Sequence, residues 1–319
     1  MTDRDARLAW RLLNLNWLPI GAMGAVLLAA VGLTNFSIEP IAFGITVAIG
    51  WFLALVAYRH TKSDRADPKL VFMLGAVAQV ILVTAIVGPL SYVVGSFNWP
   101  LQDRALSAVD YAMGFDSKAV ILFVNDHPAL SGALNLGYNM IKWPLLVIPI
   151  VLAKTLRFVR LQQFVMSLSV AMLITIVISV FVPAIGNHQT SGLTASDVPN
   201  VNLLAFLGPQ HDIPALREGL LRHLELFKLA GIVTFPSFHA ASAVLFTWAL
   251  SPVRGFGPVA LMLNALMIAS TPVIGAHYLI DVIAGIALAA ASIAFAKWLS
   301  EYEGQRTAAM VPTLAVAAE

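Results

Sequence analysis

Apolar residues in this chain gather in long, nearly unbroken runs. Eight such runs, each bounded by charge or by Pro and Gly, read as membrane helices: Asn16–Leu33, Ile41–Tyr58, Leu70–Val93, Leu130–Leu152, Phe164–Val182, Pro236–Leu250, Pro258–Ile274 and Tyr278–Leu299. Runs of about 20 residues match the ~30 Å hydrocarbon core of a bilayer. Between the third and fourth lies Gly95–Ala129, too polar to span, with Asp103, Arg104, Asp110 and Asp116; it predicts an amphipathic interfacial helix and turn. The longest non-spanning stretch, Gly186–Thr234, opens with loop composition (Asn187, Gln189, Thr190, Ser191, Gly192) and closes in a helical-looking run, Ile213–Leu229. The first run follows Arg4, Arg7 and Arg11, as in a signal peptide, but its core is longer than an h-region, which predicts an uncleaved first span.

Composition adds to the pattern. Hydrophobic residues make up 59% of the 319 positions and charged ones 11%, with mean hydropathy +0.83; soluble domains carry about a quarter charged. The expected class is therefore an all-α, multi-pass integral membrane protein. A formal charge of +2 gives no basis for a nucleic-acid partner, and the absence of cysteine excludes disulfides, Cys-ligated zinc and a thiol nucleophile. With the N-terminus inside, 13 of the 19 Lys and Arg residues fall on the cytoplasmic side and five (Arg104, Lys118, Arg217, Arg222, Lys228) outside, leaving Lys142 within a span. The positive-inside rule favours this orientation. It predicts cytoplasmic termini and places the Gly186–Thr234 loop, His239 and His277 together on the opposite, periplasmic face of a bacterial inner membrane.

Chemistry concentrates in two short stretches. Phe235-Pro236-Ser237-Phe238-His239-Ala240 puts an imidazole at the start of an apolar run, and Gly275-Ala276-His277-Tyr278-Leu279-Ile280-Asp281 puts a histidine and a carboxylate at i and i+4, predicting both on one helix face. Ionisable side chains are costly in such segments, so a cluster of three points to function. A phosphoester held between two histidines is split in two steps. One imidazole attacks phosphorus, and the other protonates the leaving oxygen and later deprotonates the acceptor. A carboxylate orients the nucleophile, as in a hydrolase triad. These roles fall to His277, His239 and Asp281 respectively, with backbone N–H groups at Ser237–His239 offering a helix N-terminus to a phosphate oxygen. A lone His in an apolar helix is more often a packing residue, and His-x3-Asp alone recurs by chance. The conjunction with the first stretch is what carries the reading.

At these residues the chain resembles the type 2 phosphatidic acid phosphatase superfamily of integral membrane phosphatases and phosphotransferases. Pro236-Ser237-Phe238-His239 is similar to the family's Pro-Ser-x-His, and Ser270, His277 and Asp281 sit at the spacing of its Ser-Arg-x5-His-x3-Asp. Two features depart from it: Thr271 stands where the family has a basic residue, and no arginine precedes a proline, so Lys-x6-Arg-Pro is missing. Phe238, Ser270-Thr271 and His277-Tyr278 look closer to the inositol phosphorylceramide synthases and their bacterial relatives. The resemblance implies a six-helix core within residues 70–299; the apolar runs put two membrane helices in 1–69 ahead of it, and 300–319 reads as a disordered tail. It also implies a lipid phosphoester substrate and an enzyme needing neither cofactor nor metal.

The missing basic motif leaves the phosphate charge without its usual partner. Arg217 and Arg222 are the nearest substitutes on the same side, since a guanidinium suits bidentate phosphate contact; Lys142, Ser237 and Ser270 complete the candidate binding set. An interfacial helix wetting its polar face explains Arg217 and Arg222 equally well, as snorkelling explains Lys142. His60, His127, His188, His211 and His223 read as loop or interfacial residues, and Asp103, Asp110 and Asp116 as helix-capping or solvated carboxylates. A transporter would show inverted repeats and a midplane site. A metal-dependent hydrolase would need further ligands, such as His188 or His211, at a spacing the chain lacks. Head group, acceptor and oligomeric state carry no signal in the sequence.

Overall fold

Acidic caps followed by proline start two of the long helices. Glu39 accepts from the amides of Ile41 and Ala42 (2.8 and 2.7 Å) ahead of Pro40, and Asp67 accepts from Lys69 (2.9 Å) ahead of Pro68. Proline at the first helical position loses no hydrogen bond, and the carboxylate satisfies donors that would otherwise be orphaned. The computed structural model describes residues 3–63 and 65–309. Its helices are α1 (Asp3–Leu15), α2 (Trp17–Leu33), α3 (Pro40–His60), α4 (Pro68–Gly95), α5 (Asp103–Ala112), α6 (Ser117–Asn125), α7 (Pro128–Asn139), α8 (Pro144–Lys154), α9 (Phe158–Phe181), α10 (Asn187–Ser191), α11 (Leu204–Arg217), α12 (Phe238–Leu250), α13 (Phe256–Ser270) and α14 (Leu279–Ala309). Strands β1 (Ser37–Ile38) and β2 (His223–Leu224) pair in parallel, strapping the loop before α12 to the α2–α3 connection.

Every apolar run holds a helix. Among the described residues, five helical segments are long and apolar enough to cross a membrane: Arg4–Leu33 (α1 with α2), Pro40–His60, Pro68–Gly95, Phe158–Phe181 and Leu279–Arg306. A sixth, α7 with α8, is bent by 59° around the 3-10 turn Met140–Lys142, where Pro144 removes a donor from the ladder. The last two, α12 and α13, have 13 and 15 residues. At 1.5 Å per residue they rise only ~20 Å and leave α12's first turn inside the bundle.

Three segments differ from the sequence reading. The helix expected over Ile213–Leu229 is instead α11, which tolerates Pro209 and Pro214 and ends at Arg217; Gly219, at φ +81°, turns the chain into β2. An amphipathic α1 precedes the first apolar run, its Arg11 paired with Glu303 at 2.6 Å. That contact accompanies the third difference: α14 runs on to Ala309, so residues 300–309 are helical rather than tail, while 310–319 lie outside the described residues.

Helices α4 and α9 sit at the centre, with α1, α2, α8, α12, α13 and α14 contributing to one continuous apolar core. Within it, Asn16 at the α1–α2 break donates to Oε1 of Gln162 (3.0 Å), and Gln79 donates to the Leu13 carbonyl (2.7 Å). Buried amides of this kind fix helix register where apolar packing alone is permissive.

Candidate active site

The site is assembled from two helix beginnings held against each other. Ser237 caps α12, accepting from the Ala240 amide (3.3 Å), while its own N–H donates to the Asp281 carbonyl in the first turn of α14 (3.0 Å). Gly285 makes the approach feasible: a Cβ there would overlap the Ser237 carbonyl. The consequence is that His239, second residue of α12, and His277, just ahead of α14, lie with ring centroids 6.4 Å apart.

His277 and Asp281 do meet, but not on a helix face. Because α14 begins at Leu279, His277 belongs to the irregular lead-in, where Ala276 takes a left-handed φ of 55°. Asp281 reaches back as the third residue of the helix, accepting the Tyr278 amide at Oδ2 (2.9 Å), the geometry of a capping box. The same oxygen lies 3.4 Å from Nδ1 of His277, and His277 Nδ1 and Asp281 Oδ1 are buried without hydrogen-bond partners among the described residues. Such contacts tighten when charge develops on the ring.

Both imidazoles line a cavity of about 180 Å³ among α4, α9, α12 and the loop before α12. Its wall is mostly aliphatic, and its polar members include Ser91, Tyr138, Thr175 and Thr234. Thr175 is 4% exposed with an unpartnered hydroxyl. No Lys or Arg lines the cavity.

A second layer of polar groups, hidden from the sequence reading, holds the His277 lead-in. The Asn187 side chain donates to the carbonyls of Pro272 (2.7 Å) and His277 (2.8 Å), and its backbone N–H donates to the Ala276 carbonyl (2.8 Å). Asp110 accepts from the amides of Leu279 (2.7 Å) and Ile280 (3.0 Å), capping α14 from another part of the chain. Burial pushes its carboxyl above the ordinary value, against the pull of those two amides. Asp103 is neither solvated nor a cap of its own helix: it is buried, accepting from Ile185, Gly186 and the Tyr278 hydroxyl (3.0 Å). His188, read as a loop residue, is likewise buried, Nε2 lying 3.0 Å from the Val273 carbonyl, and burial lowers its pKa. Only Asp116 caps its own helix, at Ala119. The one sequence signal for Asp103 and Asp110 was their i, i+7 spacing on one face of α5.

The remaining candidates lie outside the cavity wall. Arg217 donates to the Trp99 carbonyl (2.9 Å); burial pulls its pKa down while Asp103 opposes that shift. Arg222 donates to the carbonyls of Leu216 and Leu221 and stacks over Phe36. Lys142 is exposed on the bend between α7 and α8. Ser270 donates to Met267 within its own helix, and Ser237 is committed to its cap.

The chain is thus a multi-pass membrane bundle with two histidines facing one cavity and a carboxylate behind one of them. The chain belongs to the PAP2 superfamily, whose pattern matches residues 104–295, more than half of its length. Neither the curated proteins nor the solved structures contain a match to it. Helices α1–α4 lie before the matched region.

Proposed function

We propose that this protein is a lipid phosphotransferase or phosphatase that cleaves a lipid phosphoester through His277, Asp281 and His239, working on the extracytoplasmic face. The observation that carries the reading is the placement of two imidazoles, 6.4 Å apart, on one cavity with Asp281 behind His277. With Nδ1 turned towards Asp281, Nε2 is the nitrogen of His277 left to attack phosphorus. The bond to the leaving oxygen breaks as His239 delivers its proton there, and the neutral His239 then takes a proton from the acceptor that displaces His277. The amides of Phe238 and His239, at the positive end of α12 and without a partner among the described residues, suit the phosphate oxygens.

Charge refines the substrate class. A cavity wall without Lys or Arg holds a singly charged diester at lower cost than a dianionic monoester, because an uncompensated buried charge loses its hydration. This favours transfer of a phospho-head group to a lipid alcohol, as the likeness to inositol phosphorylceramide synthases implies, and keeps Arg217 and Arg222 as binding groups only if the segment from α11 to the residue before Pro236 moves. The test is a screen of purified protein, with and without EDTA, against phosphatidic acid, polyprenyl pyrophosphate, and phosphatidylinositol with ceramide, following phosphate and lipid products together. Chelator-resistant conversion of the diester supports the reading. Strict chelator sensitivity would overturn the imidazole mechanism, and conversion of the monoester alone would overturn the charge argument. Orientation has its own test in this cysteine-free chain: Ser196→Cys should react with an impermeant maleimide in intact cells and Ser63→Cys only after permeabilisation. The reverse pattern would move the site to the cytoplasmic face.

A further inference from the structure

The two histidines are held in different ways. His277 has a carboxylate behind it, whereas neither ring nitrogen of His239 makes a hydrogen bond among the described residues. What holds His239 is Tyr138, whose ring lies flat on the imidazole with centroids 4.0 Å apart and planes 12° from parallel. The fit is enforced from the other side as well: a Cβ on Gly275, two residues before His277, would stand 2.6 Å from Cε2 of Tyr138. Helix α7 ends at Asn139, immediately before the bend at Met140–Lys142, so the ring is presented at the broken part of the sixth span.

We propose that Tyr138 is the positioning residue of His239, doing by ring stacking for the general acid what Asp281 does for the nucleophile. The inference rests on His239 being the acid of the proposed reaction. The face of an aromatic ring is the negative side of its quadrupole and attracts a flat cation laid on it. Stacking therefore favours the protonated imidazole needed before the leaving oxygen departs, and it stops the ring rotating away from the cavity. The aromatic face is required and the hydroxyl is not.

The experiment measures first-turnover release of the leaving group from two probes in detergent micelles, using the full chain. Dihexadecyl phosphate must have its alkoxide protonated as it leaves, whereas hexadecyl 4-nitrophenyl phosphate loses a phenolate that departs without help. The ratio of the two rates on a single preparation is independent of how much of the protein is folded. In Tyr138→Leu and the unbranched Tyr138→Met, release from the dialkyl probe should fall by roughly 10- to 100-fold, part of the roughly 10²- to 10⁴-fold worth of a general acid, with 4-nitrophenol release little changed. Tyr138→Phe should restore both, and His239→Gln should show the same selective loss in larger measure. Equal losses on both probes, no loss in Leu and Met, or a Phe variant behaving as Leu would overturn the role of the Tyr138 ring. A His239→Gln variant without leaving-group selectivity would instead overturn the acid assignment beneath it, and wild-type protein inert to both probes would overturn the phosphotransferase reading and this proposal together.

Discussion

The floor and the roof of the cavity are built on opposite principles. The floor is the junction of α12 with α14, where Ser237 N–H bonds to the Asp281 carbonyl, Gly285 admits the close approach and Asp110 caps the second helix. The roof, from α11 to the residue before Pro236, is joined to the rest by the two-residue β1–β2 pairing, by an apolar cluster that packs Phe206, Ile213, Leu216 and Leu224 against Phe36, Tyr92 and Ile185, and by the Tyr92 hydroxyl, which donates to Asp212 (2.6 Å) and accepts from the Ala230 amide (2.9 Å). Its two arginines are occupied with backbone carbonyls. Groups placed by short, mutually capped elements are preorganised for chemistry, whereas side chains of a segment that lie outside the cavity wall serve it only if that segment shifts.

The largest expected effect tests whether the floor carries the reaction. His277→Ala should remove turnover by about 10⁴-fold or more, while Asp281→Asn should cost measurably less, since an unoriented imidazole still attacks part of the time. Equal losses in both variants at normal folding would make the carboxylate a partner in bond formation rather than an orienter. Next, Gly285→Val should force α14 from α12 and lower stability by about 1–3 kcal/mol, read as thermal unfolding in detergent, with activity falling alongside. Unchanged unfolding would mean the junction is slack. Smaller again is Asp110→Asn, expected to cost ~1 kcal/mol by weakening the cap on α14. Full activity and stability there would show that α14 needs no outside cap. The smallest effect belongs to the roof. Arg217→Ala should lose about 1 kcal/mol of stability, the net value of one hydrogen bond, and keep kcat near wild type. A steep loss of kcat in a well-folded Arg217→Ala protein would erase the contrast and bring the roof arginines to the phosphate.

The same contrast explains what the sequence made legible. Eight apolar runs were readable because each helix in a membrane must satisfy its backbone alone, whatever its neighbours. His277 and Asp281 were readable because four residues of chain keep them together whether or not a helix begins between them; here it begins at Leu279, and the pair still meets. Asn187, Asp103 and Asp110 were not, because their partners lie 85 to 175 positions away, and only folding brings them to the His277 lead-in. The helix placed at Ile213–Leu229 failed for a related reason. Its apolar spacing is helical, yet Gly219 and the pairing of His223–Leu224 with Ser37–Ile38 override local preference.

The central claim is that phosphorus passes through His277. Its most direct test is rapid acid-free quenching during turnover of phosphorus-labelled hexadecyl 4-nitrophenyl phosphate, whose leaving group departs unprotonated, using His239→Gln protein to slow the second step, followed by peptide mapping of the label. The account predicts an acid-labile phosphohistidine at His277. Label on any other residue, or a first turnover of product with no covalent label on the protein, would contradict it.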